Sequence, residues 1–219
     1  MSEELSLSLA KLSAWSIFVP FILAIVFFRR FDWSQKRLAF VILLGAVADV
    51  MAMVVVKVFS IYNNLFIFHI YTLIEVILIG LIYRKVLGNV IGEKTINILL
   101  VAFSCFAVFS TIFLEPLNMF NAYTRAVESL LMIFFSVTFF YKIMKEVVIQ
   151  RLEKLPLFWI SVGLLIYFSA SLFIFIFSNY IMPSIKLSYT FWGIHAILNV
   201  LLNLFYIIAL SVNSRGAVK

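Results

Sequence analysis

Asp49, His69, Glu75, Arg125, Glu128 and His195 are ionisable side chains set inside long runs of Leu, Ile, Val and Phe. Carboxylates and imidazoles in such surroundings can take up protons, pair with a cation or ligate a metal, and an arginine can hold an anionic group in its planar fork. A charge near the centre of a membrane-spanning helix costs about 2.5–3.5 kcal/mol on insertion scales, a cost that Leu would avoid. Six such residues mark where a site is expected.

Their spacing groups them by helix face. Near the C-terminus, at about 100° per residue, Ser188, Trp192, His195, Asn199, Asn203 and Tyr206 share a stripe about 80° wide. Ile194, Ile197, Val200, Leu201 and Phe205 occupy the opposite, apolar face. The stripe either lines a pocket or joins helices through hydrogen bonds worth under about 1–2 kcal/mol each. Asn121, Thr124, Arg125 and Glu128 follow i, i+3, i+4, i+7 spacing, continued by Met132 and Ser136. Arg125 and Glu128 either neutralise each other or leave Arg125 free for an anionic ligand group. His69, Tyr71, Thr72 and Glu75 spread over a broader arc, where Glu75 can accept a proton, pair with a cation, or sit protonated against a neighbour. Asp49 lies beside Gly45, Ala48 and Ala52, small residues that suit close helix approach, with Arg125 or a histidine as its expected partner.

A metal centre built from His69, His195 and a carboxylate such as Glu75 is a further alternative, without HxxxH or HExxH spacing to support it. The last apolar run has no Schiff-base lysine between Lys186 and Lys219, against a retinal protein. There is no Gly-rich phosphate loop, nucleophilic serine motif or haem-attachment motif, and no cofactor is called for.

The elements that must position these residues are membrane helices. The 219-residue chain is 65% hydrophobic and 12% charged, with a mean hydropathy of +1.15. Seven apolar runs are expected to span, at Leu12 to Phe28, Leu38 to Val56, Asn64 to Tyr83, Ile96 to Leu114, Asn121 to Tyr141, Leu157 to Ser178 and Leu187 to Val212. The alternation that a transmembrane barrel needs is missing, so the expected fold is all-α, a single polytopic seven-helix bundle. Pro20 predicts a kink and Pro156 a helix start. Trp15, Trp33 and Trp159 lie near run ends as interfacial anchors. The single Cys105 excludes an intramolecular disulfide, and the acidic Ser2-Glu3-Glu4 start argues against a cleavable signal.

The net charge of +7 does not indicate nucleic acid, because the basic residues fall in short groups between apolar runs. Arg29, Arg30, Lys36, Arg37, Arg84, Lys85, Lys94, Lys142, Lys145, Arg151, Lys154, Arg215 and Lys219 gather on one side, leaving Lys11, Lys57, Arg125 and Lys186. The positive-inside rule then sets the N-terminus outside and the C-terminus in the cytoplasm. In that orientation all six ionisable residues fall in the outer half of the membrane or at its centre.

The segments Phe68-His69-Ile70-Tyr71-Thr72-Leu73-Ile74-Glu75 and Phe191-Trp192-Gly193-Ile194-His195-Ala196-Ile197-Leu198-Asn199 resemble those of small seven-span bacterial membrane proteins of no assigned function. That resemblance implies a bacterial inner membrane and no particular ligand. The expectation is a small-ligand sensor or binding protein with an outward-facing pocket lined by Asp49, His69, Tyr71, Glu75, Arg125, Glu128, Trp192, His195, Asn199 and Asn203. The lipid bilayer and a signalling partner, cytoplasmic or within the membrane, would be its neighbours. A proton-coupled transporter and a metal-dependent intramembrane hydrolase are the alternatives.

Overall fold

The computed structural model describes residues 1–59, 63–146, 151–181 and 184–212, the Asn179 side chain aside. The expected basic residues Arg215 and Lys219 lie outside the described residues. All regular elements among the described residues are helical. Helices α1 (Glu3–Ser16) and α2 (Phe18–Phe27) form one broken rod, interrupted at Ile17. Pro20 accounts for the break: it has no N–H for the carbonyl four residues back, that of Ser16, and its ring crowds that carbonyl.

A 3-10 turn at Phe28–Arg30 leads to α3 (Trp33–Lys57). Its start is fixed by a capping box, in which Asp32 accepts from the N–H groups of Ser34 and Gln35 while its own N–H donates to the Gln35 side chain.

Next come α4 (Leu65–Leu87), a π-helical turn at Gly88–Gly92, and α5 (Glu93–Phe113). The expected loop between the third and fourth apolar runs is therefore a helical reversal. Gly92 adopts φ +85°, a conformation that glycine takes without a Cβ penalty. The Arg84 guanidinium bridges the reversal to Glu93 at 2.9 Å. Close packing of Gly80 on Leu100 shows that α5 folds back along α4.

The remaining helices are α6 (Ala122–Glu146), α7 (Pro156–Ile181), with Pro156 at its first position as predicted, and α8 (Ile185–Ser211).

Among the described residues, six helical stretches are long and apolar enough to cross a membrane: Glu3–Arg30, Trp33–Lys57, Leu65–Phe113, Ala122–Glu146, Pro156–Ser178 and Ile185–Ser211. The third contains the α4–α5 reversal. Outward-facing Ile25, Val26, Ile98, Phe113 and Phe173 are each more than half exposed. Such apolar surface suits hydrocarbon rather than water.

Side-chain contacts set the helix directions. Asn64 donates to the Ala52 carbonyl and Arg37 to that of Leu81, so α3 and α4 are antiparallel. Asn121 meets Thr72, Arg125 meets Glu75 and Ser136 meets Tyr83, so α4 and α6 are parallel. Tyr167 meets His195 and Trp159 stacks on Phe205, making α7 and α8 antiparallel. In section α2, α3, α4, α6, α7 and α8 close a ring, α1 continues along α8, and α5 packs on α4 and α6 from outside. The ends of α2, α4 and α6 and the starts of α3, α5 and α7 meet at one end of the bundle, which gathers the basic groups. There Lys85 stands 4.3 Å over the Trp33 ring and Lys142 donates to the Val86 carbonyl.

Candidate functional site

The centre of the site is Arg125, in the first turn of α6. Its Nη1 donates to Glu128 Oε2 at 2.7 Å and to Glu75 Oε2, on α4, at 3.2 Å. Tyr71 sits one turn before Glu75 on α4 and donates to Glu75 Oε1 at 2.7 Å. The guanidinium lies 5.0 Å from the Phe175 ring centroid and 5.8 Å from that of Tyr71, aromatic faces that favour a cation. Glu75 and Glu128 are buried, and only 11% of the Arg125 side chain is accessible. Both ion contacts run through Nη1, so Nε and Nη2 have no acceptor among the described residues.

Beside this cluster, His195 Nε2 and the Tyr167 hydroxyl share a hydrogen bond of 2.9 Å. Phe175 and Trp192 pack against the imidazole with centroids 5.6 and 5.4 Å away. Trp192 also closes on Phe120 at 5.1 Å. Tyr206 is buried among the same groups, with Glu75, Tyr167 and Glu128 close enough to act on it electrostatically. Its hydroxyl, Glu128 Oε1, Ser171 Oγ, Thr124 Oγ1 and Asn121 Oδ1 are buried without a hydrogen-bond partner among the described residues.

Of the residues expected to line the pocket, Tyr71, Glu75, Arg125, Glu128, Trp192 and His195 converge. Asn199 and Asn203 do not: they donate to Ser13 Oγ at 2.8 Å and Ser16 Oγ at 2.7 Å and tie α8 to α1. The stripe straddles two neighbours, so its His195 edge faces the interior and its Asn203 edge faces α1. His69 is also elsewhere. Its Nε2 donates to the Met119 carbonyl and its Nδ1 contacts Thr111 Oγ1, both at 3.0 Å, which pins α4 to the end of α5 and the following loop.

Asp49 is partly exposed on α3 and takes part in no ion pair or hydrogen bond among the described residues. Arg125, its expected partner, is taken by Glu75 and Glu128. The metal alternative of His69, His195 and Glu75 is corrected as well. Among the described residues no three His, Cys, Asp or Glu side chains gather in a metal-binding group, because the two histidines are committed to different helix junctions.

Sequence reasoning missed Tyr167 and Glu115. Tyr167 stands mid-run with Ser171 one turn on, a polar pair at helical spacing that was a usable signal. Glu115 is buried in the loop before α6, where both carboxylate oxygens accept from the Tyr123 N–H at 3.0 Å and Oε2 accepts from Ser110 Oγ at 3.3 Å. Burial raises its carboxyl above the ordinary 4.5, and the hydrogen bonds from Tyr123 and Ser110 oppose part of that rise.

Fold and site together define an integral membrane protein, a helical bundle with an ionisable cluster in its interior. No protein-family model, curated protein or solved structure matches the chain.

Proposed function

We propose that the chain crosses a bacterial inner membrane seven times, N-terminus outside, and acts as a small-ligand sensor or binding protein. Two observations support seven crossings: the α4–α5 reversal makes two antiparallel helices of one stretch, and the basic groups collect at the end that the positive-inside rule assigns to the cytoplasm. A C-terminal phosphatase fusion inactive in cells, with an active fluorescent-protein fusion, agrees with this orientation; the reverse pattern refutes it.

The ligand reading is carried by the unused edge of Arg125. A guanidinium is planar and has five donors, and here Nε and Nη2 find no acceptor among the described residues. A small carboxylate or carbonyl ligand supplies the missing acceptor, with Phe175 and Trp192 offering apolar walls and Tyr206 a hydroxyl that has no partner among the described residues. Binding would tighten the junction of α4, α6, α7 and α8, and the basic end offers charged contacts to a partner. The test is thermal unfolding of purified protein with short-chain carboxylates and amino acids. A ligand that raises Tm in the wild type and not in Arg125→Lys, which keeps the charge and loses the fork, supports this reading. A panel without effect on the wild type, or with equal effect on both, counts against it.

Proton-coupled solute transport is the second reading, favoured by two carboxyl groups sharing one guanidinium. It requires solute uptake in proteoliposomes whose pH dependence disappears in Glu75→Gln.

A further inference from the structure

We propose that Glu75 and Glu128 hold a single exchangeable proton between them, which makes the Glu75–Arg125–Glu128 cluster a proton-binding site. Two carboxyl groups meet one guanidinium inside the bundle, at 3.2 and 2.7 Å from the same nitrogen. With both acids ionised, one negative charge would remain uncompensated away from water, an expensive state that proteins relieve by binding a proton.

Among the described residues no second cation pairs with either carboxyl group. Facing the cluster are Asp49 from α3, Tyr71 from α4, Tyr167 from α7, and His195 and Tyr206 from α8. The charged residues of α5, Glu93 and Lys94, lie at the basic end. None of these facing side chains is a lysine or arginine, so they bring no second permanent cation.

Hydrogen bonding gives independent support. Glu128 Oε1 is buried with no partner among the described residues, an orphan that needs an explanation. The two carboxyl groups stand side by side, since Glu75 Oε2 at 3.2 Å and Glu128 Oε2 at 2.7 Å converge on the same nitrogen of Arg125. A proton taken from water and placed on either carboxyl turns this contact of two acceptors into a donor–acceptor pair. The surplus charge and the orphaned oxygen are thus resolved by the same proton. Tyr71 and Arg125 hold the remaining oxygens and keep the carboxyl groups facing each other.

The inference does not depend on the identity of a ligand, and its test is separate. Infrared difference spectroscopy on full-length protein in lipid nanodiscs at neutral pH should show a protonated-carboxyl C=O band that shifts in D2O. Glu75→Gln and Glu128→Gln should each abolish it, because the remaining carboxylate then balances Arg125 alone, whereas Glu115→Gln and Asp49→Asn should retain it. A missing band, or one that survives either of the first two substitutions, overturns the proposal.

Should either Gln variant fail to fold, proton release on unfolding decides, read with a pH indicator in weak buffer in a Glu115→Gln background. About one proton released per chain at neutral pH supports a shared proton, and none released overturns it. Loss of the band leaves the carboxylate-ligand test on Arg125→Lys untouched, so the two readings fail separately.

Discussion

Arg125 reaches from α6 to Glu75 on α4, 50 residues earlier in the chain, and stops 3.2 Å from its carboxylate while holding Glu128 at 2.7 Å. Two parallel helices are thus joined through one nitrogen of one side chain. Since α7 contributes Phe175 over the same guanidinium, three helices depend on its position.

Removing that cation should be severe. Arg125→Ala leaves two carboxyl groups facing each other without a counter-charge, and breaking a buried ion pair by deleting one partner costs about 3–5 kcal/mol. Detergent-solubilised Arg125→Ala is expected to unfold at a markedly lower temperature than wild type. Combining it with Glu75→Gln and Glu128→Gln should recover much of the loss, because no buried charge then lacks a partner. Failure of the triple variant to exceed Arg125→Ala would show that packing of the guanidinium, not its charge, dominates.

Asn199 and Asn203 make the opposite case. Each gives one hydrogen bond to a serine of α1, and interhelical hydrogen bonds in membranes average about 0.6 kcal/mol. Asn199→Ala and Asn203→Ala should each lower stability by about that much, with their effects adding, while ligand-induced stabilisation persists. Loss of ligand response in either variant would return these residues to the site.

These asparagines also show where sequence reasoning stops. A helical projection ranks residues by angle around one axis, so it found the polar stripe of α8 correctly. It has no information on which neighbour faces each edge, and the stripe divides between α1 and the interior. Arg125 and Glu128 were legible as a pair because i, i+3 spacing is local. Glu75 joined them only through the register of α4 against α6. The apolar runs were readable because length and hydropathy are local properties, and Pro20 and Pro156 act where they stand. The reversal between the third and fourth runs was expected as a loop; its helical turn was not legible, because it runs through Gly88–Gly92 and depends on one positive φ at Gly92.

Glu115 gives a pH prediction outside the spanning segments. Burial raises its carboxyl above 4.5 in the folded chain, so from 4.5 upward the folded state binds more protons than the unfolded state. Stability contributed by Glu115 is full below 4.5 and declines as pH rises from 4.5 through its higher folded value. Glu115→Gln cannot ionise. The stability advantage of wild type over Glu115→Gln should therefore shrink as pH is raised from 4.5, as followed by thermal unfolding across a pH series. A growing advantage would mean that the N–H of Tyr123 and the Ser110 hydroxyl outweigh burial and hold the group ionised.

Tyr167 and Tyr206 separate a structural hydroxyl from one free to serve a ligand. Tyr167→Phe removes the bond to the half-buried His195 imidazole, a loss of about 0.5–1.5 kcal/mol. The Tyr206 hydroxyl has no partner to lose among the described residues, so Tyr206→Phe should unfold at or above the wild-type temperature in the absence of ligand. With a stabilising carboxylate present the order of interest reverses: Tyr206→Phe should show a smaller shift than wild type if its hydroxyl contacts the ligand beside Arg125. Thermal unfolding of both variants, each with and without the carboxylate, measures the two effects together. An unchanged shift in Tyr206→Phe would place the ligand away from α8 and confine it to the Arg125 edge.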